Sequence, residues 1–491
     1  MDLSQLRKEI DSVDAQLIEL FRQRMEIAAS IAAYKKQHNL PILVPEREQE
    51  KLQAVAAQSV PELADYTVRL FESLMALSRE YQEKKLEVKC GLLGRHLSHS
   101  YSPAIHSFFG DYPYDLFEKE PEELEVFLKN GDFTGLNVTI PYKKAVIPYL
   151  DELTPTAQKL GAVNTILRRP DGSLLGHNSD PTGFRYLLHK SGLDVSGKKV
   201  LVLGSGGASR TAVSVLEESG ALVTVISRSG EDNYENLSRH YDARVIVNTT
   251  PVGMYPNTGH EPLEPEHFPD LEGILDLIYN PERTQLMLDA ENLMVPAWSG
   301  LWMLIAQAKE SAEYFLGKQL PDTLLEEIHR SLTARMRNIV LIGMPGCGKS
   351  TIGRLLAEKT GRLFADSDEK IRELAGKSPE EILNQDGEEV FRNWETRALI
   401  ALGKESGLVI ATGGGCVTQL RNYPFLHQNG TIFWLQRELD KLPTDGRPLS
   451  RGNGLKALFD KRKILYQAFS DYEISNDGTP EETVSSILSR L

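Results

Sequence analysis

Between residues 7 and 35, five apolar and four charged positions follow one another at alternating intervals of three and four, the spacing of one helix face. The segment HNLP ends this pattern, and Pro45 opens a second helical stretch over PEREQEKLQAVAAQ. Residues 62–86 predict a third helix. We therefore expect an all-α segment. The positions on the first face are Arg7, Ile10, Asp14, Leu17, Phe21, Arg24, Ala28, Ile31 and Lys35.

From residue 89 the pattern changes to short β-rich runs that alternate with helices, which is typical of an α/β fold. A basic break, LTARMRN, precedes IVLIGM at 339–344, where a second α/β unit begins. We expect a multidomain chain with domains at 1–88, 89–334 and 335–491. The runs that predict strands before the break are KCGLLG, GLNVTIP, KVLVLGSGG, ALVTVIS, RVIVNTT and GILDLIY.

Composition narrows the possible partners. The 491 residues carry a net charge of −14, which argues against nucleic acid and anionic membranes as main partners. No apolar run approaches the roughly 20 residues of a membrane span, and the charged helical start is unlike a signal peptide. Three widely spaced cysteines give neither a disulfide framework nor a zinc site. We expect a cytoplasmic protein whose anionic ligands bind local clusters of arginine and lysine.

The run GMPGCGKS at 343–350 follows a predicted strand and enters a predicted helix. In such a loop the backbone N–H groups surround phosphates, Lys349 reaches the transferred phosphate and Ser350 can hold Mg²⁺. This motif predicts a nucleoside triphosphate and does not identify the phosphoryl acceptor.

Three later motifs bear on the identity of the phosphoryl acceptor. They are FADSDEKI with Asp366 and Asp368, GEEVFRNWE with Arg392, and the triple glycine of VIATGGGCV. Each alone is ambiguous, since an Asp-x-Asp is commonly a solvated turn. Together they resemble shikimate kinase over nearly all of 337–491. The resemblance implies Mg²⁺ at Ser350 and Asp366, catalytic roles for Lys349, Asp368 and Arg447, and a clamp on the shikimate carboxylate. Its shikimate residues would be Asp368, Arg392, Gly413, Gly414, Gly415 and Arg462, and its ATP residues Gly343, Gly346, Cys347, Gly348, Lys349, Ser350, Thr351 and Arg447.

In the middle segment, VLVLGSGGASRTAVSVL is a strand, a glycine turn and a helix, which suits a dinucleotide pyrophosphate within about 195–290. The next strand ends at Arg228, where an NAD enzyme places an acidic residue. A cation there suits the 2′-phosphate of NADP; a solvated arginine is the alternative.

Further motifs, SHSYSPAIH, GLNVTIPYKKAV, GAVNTI and GHNSDPTGF, contain a lysine and an aspartate that suit a proton relay or polar loop contacts. The ensemble resembles shikimate dehydrogenase across 89–334. The resemblance implies NADPH-dependent reduction of 3-dehydroshikimate, with Lys143 and Asp180 as the catalytic pair. Its shikimate contacts would be Ser100, Ser102, Thr139, Lys143, Asn164, Asp180 and Gln307, and its NADP contacts Gly204, Ser205, Gly206, Gly207, Ala208, Ser227, Arg228, Ser229, Thr249, Gly253 and Met254. A quinate-type dehydrogenase that uses NAD is the alternative, and Arg228 argues against it.

Arg24 and Lys35 lie on the apolar face of the first helix, where an unpaired charge is costly. They indicate either an anion site or side chains that reach solvent at a bundle edge. Residues 1–88 resemble the all-helical chorismate mutase. The resemblance implies that Lys35 and Gln82 sit at the ether oxygen of chorismate. Its chorismate contacts would be Arg7, Arg24, Lys35, Arg47, Glu48, Ser78 and Gln82.

These resemblances predict a trifunctional enzyme of aromatic biosynthesis with mutase, dehydrogenase and kinase domains. The alternative retains the last two activities and makes residues 1–88 a non-catalytic module that binds chorismate or prephenate. Arg7 precedes Arg24 by 17 residues, about 25 Å along a helix, so Arg7 needs another helix to reach the same ligand. We therefore expect a homodimer through the N-terminal domains.

Overall fold

A computed structural model describes residues 2–37, 43–97, 100–169, 171–442 and 453–491. The chain forms two compact units. The first comprises Met1–Asn178 and Lys309–Leu320, and the second comprises Ser179–Ala308 and Pro321–Leu491.

The first unit begins with the predicted three helices. Pro45 occupies the first turn of the second helix, where its missing N–H costs nothing, and Glu46 and Glu48 favour the same end through the helix dipole. A short 3₁₀ turn, Pro61–Leu63, precedes the third helix. The helices are α1 (Leu3–Gln37), α2 (Pro45–Gln58) and α3 (Ala64–Glu87).

A six-stranded mixed sheet forms the rest of the first unit, in the order β2-β1-β3-β5-β6-β4. Its central strands are buried on both faces, and Leu93, Leu136 and Ile166 are fully inaccessible to solvent. The elements are β1 (Cys90–Gly94), α4 (Ser102–His106), β2 (Tyr114–Glu118), α5 (Leu124–Asn130), β3 (Gly135–Val138), β4 (Glu152–Leu153), α6 (Pro155–Leu160), β5 (Thr165–Arg168) and β6 (Leu174–His177).

The second unit contains a five-stranded parallel sheet in the order β11-β10-β9-β7-β8. The strand order reverses between β7 and β9, so the carboxyl ends of these two strands border a crevice of the type that binds nucleotides. The elements are α7 (Asp180–Ser191), β7 (Lys199–Leu203), α8 (Gly207–Glu218), β8 (Leu222–Ile226), β9 (Val245–Asn248), β10 (Gly273–Asp276), α9 (Gln285–Asn292), β11 (Ala297–Ser299) and the start of α10 (Leu301–Leu316), whose residues from Lys309 onward belong to the first unit.

A second parallel sheet in this unit has the order β13-β14-β12-β15-β16, and β12 lies at its centre. The two predicted α/β segments are thus confirmed. The elements are α11 (Thr323–Met336), β12 (Asn338–Ile342), α12 (Lys349–Thr360), β13 (Leu363–Asp366), α13 (Ser367–Ala375), α14 (Pro379–Gln385), α15 (Glu388–Gly403), β14 (Leu408–Ala411), α16 (Tyr423–His427), β15 (Gly430–Gln436), α17 (Asn453–Phe469), β16 (Tyr472–Ser475) and α18 (Pro480–Leu488). Among the described residues, no helix has the length and apolarity that a bilayer crossing requires.

Candidate functional sites

The glycine-rich loop joins the end of β12 to the start of α12, as its sequence predicts. Lys349 is buried, and its Nζ donates to the carbonyl oxygens of Gly343 (2.9 Å) and Met344 (3.0 Å). The Oγ atom of Ser350 donates to Oδ2 of Asp366 at 2.9 Å. A lysine, a hydroxyl and a carboxylate therefore stand together at the amino end of α12, where backbone N–H groups favour phosphate.

A cavity of about 520 Å³ extends from this loop across the carboxyl ends of β13 and β14. Its lining includes residues predicted for ATP, for Mg²⁺ and for shikimate. The predicted residues that line it are Gly346, Gly348, Lys349, Ser350, Thr351, Asp366, Asp368, Arg392, Gly413, Gly414, Gly415 and Arg462. Gly343 and Cys347 do not line it, and Arg447 lies outside the described residues.

The far end of this cavity carries two arginines, Arg392, which is half-buried, and Arg462, which is buried. Nη1 of Arg392 donates to Oε2 of Glu395 at 2.8 Å, and Nη1 of Arg462 donates to the carbonyl oxygen of Gly414 at 2.9 Å. Arg392 leaves no space for a side chain at Gly415, where an added Cβ would lie 2.4 Å from Nη1. The glycine at this position thus permits close approach of the guanidinium to the loop.

Glu395 is a charged residue of the cavity lining that the sequence motifs do not predict. Its side chain is 1% exposed, and burial raises the pKa of the Glu395 carboxyl, with the charge of Asp368 adding to the rise and Arg392 opposing it. Its Oε1 atom has no hydrogen-bond partner among the described residues. One feature of the sequence could have predicted Glu395: it follows Arg392 by three residues on the same helix, and this spacing places both side chains on one face.

The predicted dinucleotide turn lies at the reversal point of the first parallel sheet. Gly204 has a φ of +104°, and its N–H donates to the carbonyl oxygen of Ile226 at 2.8 Å. Thr249, after β9, donates from Oγ1 to the carbonyl oxygen of Leu203 at 2.6 Å. The ends of β7, β8 and β9 are thereby tied together beside the turn.

The other predicted NADP residues differ in exposure. Ser205, Gly206, Gly207, Arg228, Ser229 and Met254 are exposed, Ala208 is half-buried, and Ser227 and Gly253 are buried. Exposed glycines at the amino end of α8 leave its first N–H groups accessible to an anion. The exposed guanidinium of Arg228 follows the end of β8, as the sequence predicts.

Three predicted shikimate residues of the first unit lie at one end of its sheet. The N–H of Val138, the residue before Thr139, donates to the carbonyl oxygen of Asn164 at 2.8 Å. The N–H of Val163 donates to the carbonyl oxygen of Lys143 at 2.7 Å. These backbone bonds bring Thr139, Lys143 and Asn164 together, with Asn164 buried and Lys143 half-buried.

The remaining predicted shikimate residues fall in both units. In the first, Ser100 precedes α4, and its Oγ accepts from the N–H of Ser102 at 3.2 Å. In the second, Asp180 is buried at the first position of α7, and Gln307 lies on α10. The Oγ atom of Ser179 donates to Oε1 of Gln307 at 3.4 Å.

A second cavity, of about 490 Å³, lies among the three N-terminal helices. Burial lowers the pKa of Arg24, whose guanidinium donates to Ser78 and to the carbonyl oxygen of Leu74. The predicted residues that line this cavity are Arg24, Lys35, Arg47, Glu48 and Ser78. Arg7 does not line it, and the side chain of Gln82 lies outside the described part of the chain.

The N-terminal cavity also has cationic residues that the sequence did not single out. Lys51 and Arg79 line it, and Arg79 is ion-paired with Glu48. Arg79 is next to the predicted residue Ser78 on α3. This position alone does not predict that Arg79 lines the cavity, because that depends on how α3 packs against α1 and α2.

Curated relatives match about half of the chain. It is 34% identical over 260 residues to the NADP(+) shikimate dehydrogenase of Clostridium beijerinckii, covering 49% of this chain and 96% of the relative. The corresponding protein of Methanothermobacter thermautotrophicus is 35% identical over 268 residues, covering 48% and 94%. The chain belongs to the shikimate dehydrogenase family.

Family models match three separate stretches of this dehydrogenase-family chain: chorismate mutase type II at 6–83, the shikimate dehydrogenase substrate binding domain at 92–166, and shikimate kinase at 345–491. The three predicted resemblances are thus confirmed. A solved chorismate mutase/shikimate 5-dehydrogenase fusion protein from Clostridium acetobutylicum is 34% identical, with a TM-score of 0.48, and covers 50% of this chain and 97% of its own.

Proposed function

We propose that this chain catalyses three reactions of aromatic biosynthesis: rearrangement of chorismate to prephenate, NADPH-dependent reduction of 3-dehydroshikimate to shikimate, and ATP-dependent 3-phosphorylation of shikimate. The observation that carries the proposal is that three family models match stretches that do not overlap. Assay of all three reactions on the purified full chain tests it. Absence of any one activity, in a preparation that performs the other two, would refute that part.

In the kinase reaction, Lys349 and the glycine-loop N–H groups bind the transferred phosphoryl group, and Arg392 and Arg462 bind the shikimate carboxylate. Asp368 orients the acceptor hydroxyl and accepts its proton. The arrangement of these groups along one cavity supports this division of roles, since phosphoryl transfer depends on position and charge. The two ends of the cavity then hold the two substrates.

Ser350 and Asp366 are proposed to hold Mg²⁺. Their hydroxyl and carboxylate oxygens are 2.9 Å apart, and hard oxygen donors are the ligands that Mg²⁺ prefers. The ion, when bound, offsets negative charge on the phosphates.

Glu395→Gln is expected to raise the kinase KM for shikimate by about tenfold to a hundredfold, with a smaller effect on the KM for ATP. Glu395 is a positioning residue in this proposal, because its charge holds Arg392, and breaking a buried ion pair is costly. Steady-state kinetics with each substrate varied measures the difference.

The matched control for this variant is Glu388→Gln. Glu388 also pairs with Arg392, at 3.2 Å, but its side chain is 74% exposed, and exposed pairs contribute little. We expect less than a twofold change. Equal effects of the two substitutions would show that burial of Glu395 has no functional role.

In the dehydrogenase reaction, we propose that Lys143 and Asp180 are the catalytic pair. NADPH supplies the hydride when bound, and Lys143 supplies the proton that converts the ketone oxygen to a hydroxyl. The remaining predicted polar side chains orient the substrate. The half-buried position of Lys143 and the buried position of Asp180 are compatible with these roles.

Arg228→Asp is expected to raise the KM for NADP about tenfold or more and to leave the KM for NAD nearly unchanged. The substitution removes a cation that suits the 2′-phosphate of NADP and introduces a carboxylate that suits the ribose hydroxyl of NAD. Initial rates with each cofactor, at saturating shikimate, measure the two values. Equal changes in both would mean that Arg228 is a surface residue, and would reopen the quinate-type alternative.

For the mutase reaction, we propose that Arg24, Lys35 and Arg47 bind the two carboxylates of chorismate. The site needs no covalent step, because holding the near-attack conformer and stabilising charge at the ether oxygen suffice. The cationic lining of the N-terminal cavity supports this role. The alternative, a non-catalytic binding module, predicts that the full chain binds chorismate or prephenate but does not convert chorismate to prephenate.

We also propose a homodimer through the N-terminal helices. The first half of α1 exposes apolar side chains at intervals of three and four residues, a stripe that a partner helix would cover. Ile10 is 60% exposed and Leu20 is 63% exposed. The residues of this stripe are Leu3, Leu6, Ile10, Val13, Leu17 and Leu20.

We further propose that the chain has three domains, at residues 1–88, 89–334 and 335–491, and that the protein is cytoplasmic.

A further inference from the structure

A cavity of about 460 Å³ lies in the second unit, apart from the kinase cavity. One wall is α11, the helix that leads into the first strand of the kinase sheet, and another wall includes Thr431 and Tyr472 of the kinase strands. None of the residues predicted for the three reactions lines it.

The walls of this junction cavity are held by hydrogen bonds. The N–H of Arg283 donates to the carbonyl oxygen of Gln428 at 2.9 Å, and its Nη1 donates to that of His427 at 2.8 Å. Arg337 donates to both carboxylate oxygens of Glu282, at 2.7 and 2.5 Å. Two hydrogen bonds from one guanidinium fix its orientation. The sides of the cavity that contain Arg283 and Arg337 are therefore held in place.

Four arginines line the junction cavity in a chain whose net charge is −14. Arg283 and Arg337 have carboxylate partners, Glu291 and Glu282. For Arg330 and Arg490 no ion pair forms with any residue that the structure describes, and Arg490 only lies over the ring of Tyr472.

The acidic residues of the lining already have partners. Glu326 is ion-paired with Lys190, and Oδ2 of Asp471 accepts from the N–H of Ile432 at 2.7 Å. The wall therefore presents more positive than negative charge, a condition that a bound anion would relieve.

One residue of the lining also carries a hydroxyl group that has no hydrogen-bond partner among the described residues. The Oγ1 atom of Thr333, on α11, is buried and makes no hydrogen bond within the described residues. A buried hydroxyl of this kind is costly unless a ligand or water satisfies it. One turn earlier on α11, His329, which also lines the cavity, stacks on Trp302 with ring centroids 3.7 Å apart.

We propose that the junction cavity binds a small polyanion that carries at least two phosphate or carboxylate groups. Arg330 and Arg490 contact its charges, Thr333 donates a hydrogen bond, and Arg283 and Arg337 complete the positive wall. Such a ligand touches both α11 and the kinase strands. It therefore stabilises the attachment of the kinase sheet to the helix that precedes it.

The test uses the full chain and two probes, pyrophosphate and citrate, in isothermal titration. Saturating ADP and NADP⁺ occupy the nucleotide sites, which also bind phosphate, and Mg²⁺ is omitted because both probes chelate it. Arg330→Ala/Arg490→Ala is expected to weaken binding of at least one probe by about tenfold or more. A loss confined to pyrophosphate assigns a phosphorylated ligand, and a loss confined to citrate assigns a polycarboxylate.

The matched control is Arg335→Ala/Lys359→Ala, which removes the same charge from exposed positions outside the lining, one of them on α11 itself. It is expected to bind both probes as wild type does. Wild-type dehydrogenase and kinase rates in both double variants establish that they fold. The proposal is wrong if the two double variants bind the probes equally, or if neither probe binds wild type.

Discussion

Lys143→Ala is expected to lower dehydrogenase turnover by about 10²–10⁴-fold and to leave shikimate phosphorylation at the wild-type rate. The first effect follows from loss of the proposed proton donor, for which the range is typical of general acid catalysis. The second follows from the kinase cavity, whose lining comes entirely from residues 345–462. Initial rates of both reactions, measured on one preparation of the variant, test the expectation.

Lys144→Ala is the control for this experiment, because the neighbouring lysine is exposed and belongs to none of the proposed sites. It is expected to keep both activities. A parallel loss of kinase activity in a folded Lys143→Ala protein would contradict the independence of the two sites. Retained dehydrogenase activity would remove Lys143 from the catalytic pair.

Local signals explain why the helices and nucleotide loops could be predicted. The second helix was predicted at residues 45–58 and is found there, because a proline at its start and acidic residues in its first turn act on their own backbone. The phosphate-binding loop at 343–350 could likewise be predicted, because its motif consists of consecutive residues. Such features depend on sequence neighbours, and no packing information is needed to recognise them.

Side chains that meet through packing could not be predicted in the same way. Glu395 has a proposed role in the kinase cavity because it is buried against Arg392, whereas a glutamate on a predicted helix is ordinarily a solvated residue. Arg330 and Arg490 are separated by 160 positions in the sequence, and only the fold brings both to the junction cavity. The order of the strands in a sheet decides which distant residues become neighbours, and no short stretch of the sequence predicts that order.

Mixing two inactive mutase variants, Arg7→Ala and Arg24→Ala, is expected to restore activity at about a quarter of all sites. Arg24 lines the N-terminal cavity and Arg7 does not, and the two residues are about 25 Å apart along α1. In the proposed dimer, Arg7 of one chain completes the site of the other. A mixed dimer then has one intact site and one with both lesions, and random pairing makes half the dimers mixed.

The experiment unfolds and refolds the two variants together and measures prephenate formation against each parent refolded alone. Arg24→Ala mixed with Lys35→Ala is the control, because both residues line the same cavity of one chain. Every site in that mixture keeps one lesion, so no recovery is expected. If the Arg7 mixture also stays inactive while subunit exchange is demonstrated by differently tagged chains, Arg7 is not shared between protomers. The exposed stripe on α1 would then need another explanation.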